Sequence, residues 1–541
     1  MKHSLARHLT RLALGLCAAT LCWGCAPKPQ KPNILYIMSD DHTSNGIGAY
    51  GGRFKDLGIT PTIDQLASEG VIFTQNFCNN SICAPSRATV LTGQYSVKNG
   101  VLDLAGGLEE ARQYLPLELR KAGYQTAIVG KWHLKHDPSG FEYFQVLPNQ
   151  GDYQNPTLYS NDTTIGPARE LDFKYGIKRE VHAKKYEGHS TDVITDIALE
   201  WFGKRRKKDQ PFFLALQYKA PHDMFDYAHR YESYMADVEF PEPDNMWDQG
   251  DWGSVGTRGA HDSLRSVIGS SIGKRNVIRN MGMHMDIDPS LPDSVYKHEA
   301  YQEYMRRYFR CVKGIDDNLK RVFAYLEEEG LMDNTVIVYT ADQGFYLGEH
   351  DFIDKRWMYD EAMRMPLIMR YPKEIPAGTQ CDWLTNNTDY APTLLDFAGI
   401  ETPDYMQGRS FRGGLDGSAQ PSDWREVTYY RYYMHMAHKH NNPAHVGIRN
   451  KQYKLILYYG TDFQKRDRPK KDGNRFWDDT PVSWEFYDLE RDPGENINLY
   501  DDPAYADIIA DLKEKLYAER ERIGDTDLEF PEAMARIEGA K

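Results

Sequence analysis

Four short apolar runs in this 541-residue chain each end in side chains able to hold a charge or move a proton. Residues 33–39 lead into Asp40 and Asp41, residues 126–130 into Lys131 and His133, residues 211–218 into Lys219 and His222, and residues 335–340 into Asp342 and Gln343. Asp40, Asp41, Asp342 and the amide oxygen of Gln343 form an all-oxygen donor set that suits a hard divalent cation. Ca²⁺ is expected ahead of Mg²⁺, because a carboxylate-rich shell with an amide favours a larger, more flexible coordination sphere. Without a cation these residues would be an uncompensated acidic cluster. Singly, an aspartate after a strand reads equally well as a cap on the next helix; their joint position points to a metal. Lys131 and His133 are two residues apart, so an extended segment projects both from one face. A lysine buried there needs a counter-charge, which an anionic substrate supplies, while His133 alone also reads as a core histidine. Cys83 lies in Ser81-Ile82-Cys83-Ala84-Pro85-Ser86-Arg87. Pro85 suits a first helical turn, residues 88–92 read as a short helix and Gly93 as its stop. Cys83 is thereby expected at a helix N-terminus, where backbone N–H groups favour negative charge, although a lone cysteine is more often a small buried hydrophobe.

The elements that must position these groups are the apolar runs themselves. Alternating with helix-like stretches, they predict an α/β fold: a large, mixed, mostly parallel sheet flanked by helices on both faces. Open α/β sheets build their sites beyond the carboxyl ends of the strands, so residues far apart in sequence can converge there. Residues 427–433, 446–459 and 484–489 alternate like antiparallel strands, and residues 505–522 read as an amphipathic closing helix. The expected organisation is a catalytic domain over residues 33–415 and a smaller C-terminal α+β subdomain over residues 422–541, divided by a Gly/Ser/Pro-rich stretch.

Composition is that of an ordinary globular protein, with 41% hydrophobic and 27% charged residues. The formal net charge of -14 argues against a nucleic-acid partner, but leaves an anionic substrate open, since a few basic groups set the potential of a cleft. Residues 1–25 carry Lys2, Arg7 and Arg11 followed by an apolar core too short to span a bilayer, the pattern of an export signal. Leu21-Cys22-Trp23-Gly24-Cys25 resembles a lipobox, so Cys25 is the expected lipid-anchor site on the outer membrane, with ordinary cleavage after Ala26 as the alternative. Residues 26–32, with Pro27, Pro29 and Pro32, form an extended tether. Beyond the signal, Cys78, Cys83, Cys311 and Cys381 allow one disulfide at most if Cys83 is modified. Beyond the signal segment neither Cys-x-x-Cys nor His-Glu-x-x-His occurs, so zinc is poorly supported.

The run from Cys83 to Arg87 resembles the Cys-x-Pro-Ser-Arg signature of type I sulfatases, in which the cysteine is oxidised after translation to Cα-formylglycine. The resemblance extends to Asp40-Asp41, to Asp342-Gln343 before Gly344, to Gly130-Lys131-Trp132-His133-Leu134, to Pro221-His222, and to Lys355 followed by Tyr359 and Glu361, with Asp360 inserted between the last two. Phe486-Tyr487-Asp488-Leu489 is a further family mark, and the likeness runs from about residue 33 to residue 499. It implies an alkaline-phosphatase-like fold, a carbohydrate sulfatase of the Bacteroidetes type acting on a sulfated glycan, and a formylglycine-generating maturase that acts before export. A sulfate monoester repels nucleophiles, so its charge must be neutralised and its leaving alcohol protonated. By resemblance, the hydrate of residue 83 completes the metal shell and attacks sulfur, and Arg87 stabilises that hydrate. Lys131 and Lys355 hold sulfate oxygens, His222 with Lys355 assists the leaving oxygen, and His133 takes the last hydroxyl proton to expel sulfate. A phosphodiesterase or phosphonate monoester hydrolase of the same superfamily is the nearest alternative, disfavoured by Ser86 and the two lysines; an inactive glycan-binding lipoprotein is another.

For the sugar, Asp354, Arg356 and His445 match positions that contact hydroxyls in N-acetylglucosamine-6-sulfatase-like members. Met434-His435-Met436-Ala437-His438 is similar instead to relatives acting on 4-sulfated galactose or N-acetylgalactosamine. Asp354, Arg356, His435, His438 and His445 are therefore expected to ring the pocket of an exo-acting enzyme for D-galactose or N-acetylgalactosamine 4-O-sulfate, with N-acetylglucosamine 6-O-sulfate as the competitor. His435 and His438 read equally as part of an exposed loop.

Overall fold

A computed structural model describes residues 31–173, 178–247, 250–463 and 478–541. The expected signal peptide, its Cys25 and all but the last two residues of the tether lie outside the described residues.

At the centre lie five parallel strands: β1 (Asn33–Ser39), β2 (Gln125–Lys131), β3 (Tyr143–Leu147), β4 (Phe212–Tyr218) and β5 (Thr335–Ala341), in the spatial order β5-β1-β4-β2-β3. Successive side chains of β1 enter two different cores. Ile34, Tyr36 and Met38 join one with Phe213 and Val338, whereas Leu35 and Ile37 join the other with Leu214 and Tyr339. Burial on both faces explains why these strands read as continuous apolar runs. Among the described residues the sheet has eleven strands and is mixed, as expected: antiparallel pairs continue it from β5 through Leu367–Arg370 to Val71–Phe73, and from β3 through Thr157–Ser160 to Lys178–Lys185 and Ala168–Asp172. The edge strand Ala168–Asp172 is mostly exposed, so polar residues suffice there.

Helix α1 (Cys83–Thr92) is buried along its whole length. Ile82, extended at φ -152°, turns the chain into it, and Gly93, at φ 62°, ends it by donating to Thr89 O at 2.8 Å. The long α2 (Asp293–Glu328) lays Ile315, Leu319 and Val322 on the second core. The C-terminal strands Thr428–Tyr432, His445–Arg449, Tyr453–Tyr458 and Ser483–Asp488 form an antiparallel sheet. The single run expected over residues 446–459 divides in two because Asn450 accepts at Oδ1 from Gln452 N and Tyr453 N, closing a tight turn. Val446, Leu455 and Phe486 pack on Ile509, Leu512 and Leu516 of α3 (Ala506–Ile523). This sheet is tied to the cleft region, since the Tyr430 hydroxyl donates to Arg356 O at 3.1 Å.

Candidate active site

Because β5, β1, β4 and β2 are neighbours, the four chemical strand ends open along one edge of the sheet. Gly130 allows the close packing there: at φ 108°, its missing Cβ would lie 1.9 Å from Gln217 O of β4. The α1 N-terminus brings Cys83 to Asp40, whose Oδ1 accepts from Cys83 Sγ at 3.4 Å. Lys131 pairs with Asp40 Oδ2. Arg87, one turn along α1, donates from Nε to Asp342 Oδ2 at 3.1 Å and from Nη1 to Gln217 Oε1 at 2.7 Å. Asp342 Oδ1 accepts from Asp41 N at 3.2 Å and from Gln343 Nε2 at 2.9 Å. Lys355 reaches both oxygens of Asp41, at 2.6 and 2.5 Å. Lys131, Arg87, Asp40, Asp41, Asp342 and Gln343 are all fully buried or nearly so.

Two expectations are corrected here. Lys131 and His133 do not share one extended face, because His133 has φ 58° and the chain turns at that residue. Nor are the aspartates uncompensated: Lys131, Lys355 and Arg87 offset the charges of Asp40, Asp41 and Asp342. The donor set still fits a divalent cation. Asp40, Asp41 and Asp342 each offer an oxygen within 4.8 Å of the others, and Gln343 Oε1 is buried without a hydrogen-bond partner. Adding a divalent ion to this balanced set leaves two positive charges, which a sulfate monoester and an oxyanion nucleophile would neutralise.

The same burial tunes the protonation of the site. Asp41 is pushed up to about 7 by loss of solvent, against the pull of Lys355. Asp342 stays below the ordinary carboxylate value because Arg87, Lys131 and Lys355 outweigh its burial. Burial, reinforced by Lys131 and Arg87, holds His133 well below the ordinary histidine value, and its Nδ1 has no hydrogen-bond partner. His222 is pushed down to about 3 by burial and then by Lys355 and Lys131. Its Nδ1 faces Asp223 O at 2.7 Å and Asp223 Oδ1 at 2.6 Å, so Nδ1 carries the proton and Nε2, 3.9 Å from Asp41 Oδ2, is the acceptor. Loss of solvent pushes the Cys83 thiol up, so as a plain cysteine it is a poor nucleophile at neutral pH.

A cleft of about 240 Å³ runs outward from Cys83 past His133, His222 and Lys355 to Asp223, Arg279, Asp354, Arg356, His438 and His440. Asp354 and Arg356 hold positive backbone φ of 79° and 86°, an uncommon conformation for residues other than glycine. Arg356 donates from Nε to Asp354 Oδ2 at 2.6 Å and from Nη1 to the Tyr432 hydroxyl at 3.0 Å. Asp354, Arg356 and His438 line the cleft, whereas His435 and His445 do not. His435 is fully buried, donating from Nε2 to Asp478 O at 2.8 Å and accepting at Nδ1 from Ala444 N at 3.1 Å. His445 bonds Pro443 O at 2.7 Å and packs among Trp357, Tyr430 and Tyr458. His435 is thus held by loop backbone and His445 by aromatic packing.

Several cleft groups carried no sequence signal of their own. His440, with Nδ1 3.2 Å from Asp354 Oδ2, and Tyr432 come from the C-terminal sheet and the loop after it. Arg279 comes from a stretch without motifs. Asp223 and Gln217 could have been suspected, since both sit beside the basic end of β4.

A mixed sheet that delivers, from adjacent strands, an acid–amide set, paired cations and a helix-borne residue 83 defines an alkaline-phosphatase-like hydrolase fold. The sulfatase family model matches residues 32–400, and the C-terminal model of N-sulphoglucosamine sulphohydrolase matches residues 348–472 and 473–522. An N-acetylglucosamine-6-O-sulfatase of Bacteroides thetaiotaomicron is 34% identical, over 97% of this chain and 93% of that protein. A solved structure in complex with its substrate D-glucosamine-2-N,6-O-disulfate is 33% identical at TM-score 0.75, covering 92% of this chain and 99% of the other. A 2-O GAG sulfatase structure, 22% identical at TM-score 0.66 over 92% of this chain and 93% of its own, shares the fold. The chain belongs to the sulfatase family, whose members hydrolyse sulfate esters and generally use formylglycine and a divalent metal.

Proposed function

We propose that this protein is an exo-acting carbohydrate sulfatase that removes the 6-O-sulfate of an N-acetylglucosamine unit and releases inorganic sulfate. The observation that carries a sugar substrate is the polarity of the outer cleft: Asp354 and Arg356 form a pre-bonded pair beyond Lys355, with His440 Nδ1 3.2 Å from Asp354, a group suited to reading hydroxyls. The likeness to the N-acetylglucosamine-6-O-sulfatase over nearly the whole chain supports this sugar over the galactose alternative. The histidines do not choose between the sugars: His435 of the run that suggested galactose is buried but His438 of that run lines the cleft, and His445 of the N-acetylglucosamine-type match is buried.

Once residue 83 is formylglycine and Ca²⁺ occupies the acid–amide set, they supply the hydrated aldehyde nucleophile and the charge that activates it. Asp40, Asp41, Asp342 and Gln343 would hold the ion. Arg87 fixes the Asp342 carboxylate and the end of β4. Lys131 and Lys355 place two ammonium groups beside residue 83, where they stabilise charge building on sulfate oxygens. The Lys355 ammonium carries a proton to share with the leaving oxygen, and His222, oriented by Asp223, turns the acceptor Nε2 toward the same place. Neutral His133 has a free ring nitrogen with which to take a proton in the release of sulfate.

Export also belongs to the proposal. The basic and then apolar residues 1–25 support secretion, with Cys25 as lipid anchor and a maturase acting beforehand. Sulfate release from a panel of monosulfated monosaccharides, with peptide mass spectrometry across Cys83, tests the function. Preference for another sugar would overturn the specificity, and full activity with an intact thiol would overturn the nucleophile.

A further inference from the structure

We propose that Arg279 forms a second anion subsite, for a sulfate or carboxylate carried by the substrate in addition to the sulfate being cleaved. The inference rests on the reading of the protein as a carbohydrate sulfatase.

Arg279 lies on an arm built to hold it still. Asn276, fully buried, accepts at Oδ1 from Ile278 N and Arg279 N at 3.0 and 3.1 Å, and donates from Nδ2 to Val267 O at 3.2 Å and to Gly269 O. The same arm pairs Ser270 and Ser271 antiparallel with Phe352–Asp354, the strand that runs into Lys355 and Arg356. Arg279 O accepts from Ser271 N at 3.2 Å, which ties it through Ser271 to the strand that feeds the cleft.

Its donors are incompletely used. Arg279 Nη2 meets Asp223 Oδ2 at 3.0 Å, but the other oxygen of that carboxylate is engaged by His222 at 2.6 Å. Arg279 Nε is buried and has no hydrogen-bond partner among the described residues. Arg356, across the same cleft, is by contrast bonded to a carboxylate and a phenol. The side chain of Arg279 is 20% exposed and lines the cleft, so its guanidinium is open to a ligand.

Position separates this group from the reacting sulfate. Lys355 and His222 lie next to Asp41, Asp223 lies outward of His222, and Arg279 outward of Asp223. An anion on Arg279 therefore belongs to another substituent, and a guanidinium fork suits the planar or tetrahedral oxygens of carboxylate and sulfate. Two sources share that chemistry: an N-sulfate on the same ring, or the carboxylate of an adjoining uronic acid.

Calorimetric titration of the full-length Cys83→Ala protein, which cannot turn over, tests the subsite. Three ligands are compared: N-acetylglucosamine 6-sulfate, N-sulfated glucosamine 6-sulfate, and a disaccharide of N-acetylglucosamine 6-sulfate with a uronic acid. One of the two dianionic ligands should bind about tenfold tighter than the monosulfated sugar, and which one does so identifies the source. Added Arg279→Gln should erase that preference, while Arg279→Lys keeps part of it and serves also if the glutamine variant misfolds. Equal binding of all three ligands, or a preference that survives Arg279→Gln, would overturn the subsite. Should the wild type instead cleave a different sugar sulfate, the proposed 6-O-specificity falls, and the same ratio measured on that sugar with and without a second anion still decides the role of Arg279.

Discussion

Neutralising Asp354 should separate recognition of the sugar from the chemistry of the sulfate. Asp354→Asn keeps the shape and one acceptor oxygen but removes the charge that Arg356 Nε meets at 2.6 Å in a pocket where both residues are 5% exposed. Breaking a buried ion pair outright costs about 3–5 kcal/mol, because the surviving charge is left unpaired. Here the amide oxygen still accepts, and the Tyr432 hydroxyl at 3.0 Å still holds Nη1. The stability loss should therefore be smaller, about 1–3 kcal/mol, read by urea denaturation. Catalysis should split by substrate. A sugar hydroxyl reading Asp354 loses a charge-assisted hydrogen bond of about 1.5–3 kcal/mol, so kcat/KM for the sugar sulfate should fall roughly 10- to 150-fold. An aryl sulfate has no such hydroxyl, and its kcat/KM should change by less than about threefold. The assay is sulfate release from N-acetylglucosamine 6-sulfate against 4-nitrophenyl sulfate, at equal metal loading. Equal losses on both substrates would mean that Asp354 acts through Lys355 and does not touch the sugar.

Three further outcomes follow from the same geometry. His435→Ala should lower stability by about 1–3 kcal/mol, since Ala444 N–H and Asp478 C=O lose a buried partner. The sugar-to-aryl ratio of kcat/KM should stay unchanged, and a fall in that ratio would return His435 to the recognition site. Chelation should abolish turnover, and Ca²⁺ should restore it better than Mg²⁺; full activity with no metal found by elemental analysis would refute the ion site. Asp316 is buried where it accepts from Thr62 N and Ile63 N, and burial raises it from 3.8 to about 6. A raised carboxylate binds its proton more tightly when folded, so the wild type loses up to about 3 kcal/mol of stability as pH rises from 4 to 6. Asp316→Asn should remove that loss, and an unchanged difference between variant and wild type across this window would refute it.

The pieces of the site that were legible in the sequence are those that local physics decides. A short apolar run such as 34–38 reads as a strand buried on both faces, and a parallel arrangement sends every strand's carboxyl end to one edge. The N-terminus of α1, its proline in the first turn and its glycine stop depend only on neighbouring residues. Sequence alone could not show that four such strands would be adjacent, nor that Lys131, Lys355 and Arg87 would each find an aspartate. Ion pairing between residues as distant as 41 and 355 is set by packing, not by spacing. The same holds for direction: a left-handed turn at His133 undoes the two-residue rule of an extended strand, and that turn is imposed by what surrounds it. His435 and His438 are three residues apart, yet one is locked between two backbone groups and the other faces the cleft. Composition cannot distinguish them, because a histidine's role depends on which groups meet its two nitrogens, and those groups arrive from elsewhere in the chain. Arg279, Tyr432 and His440 reach the cleft by the same route, carried there by tertiary contacts that no local pattern encodes.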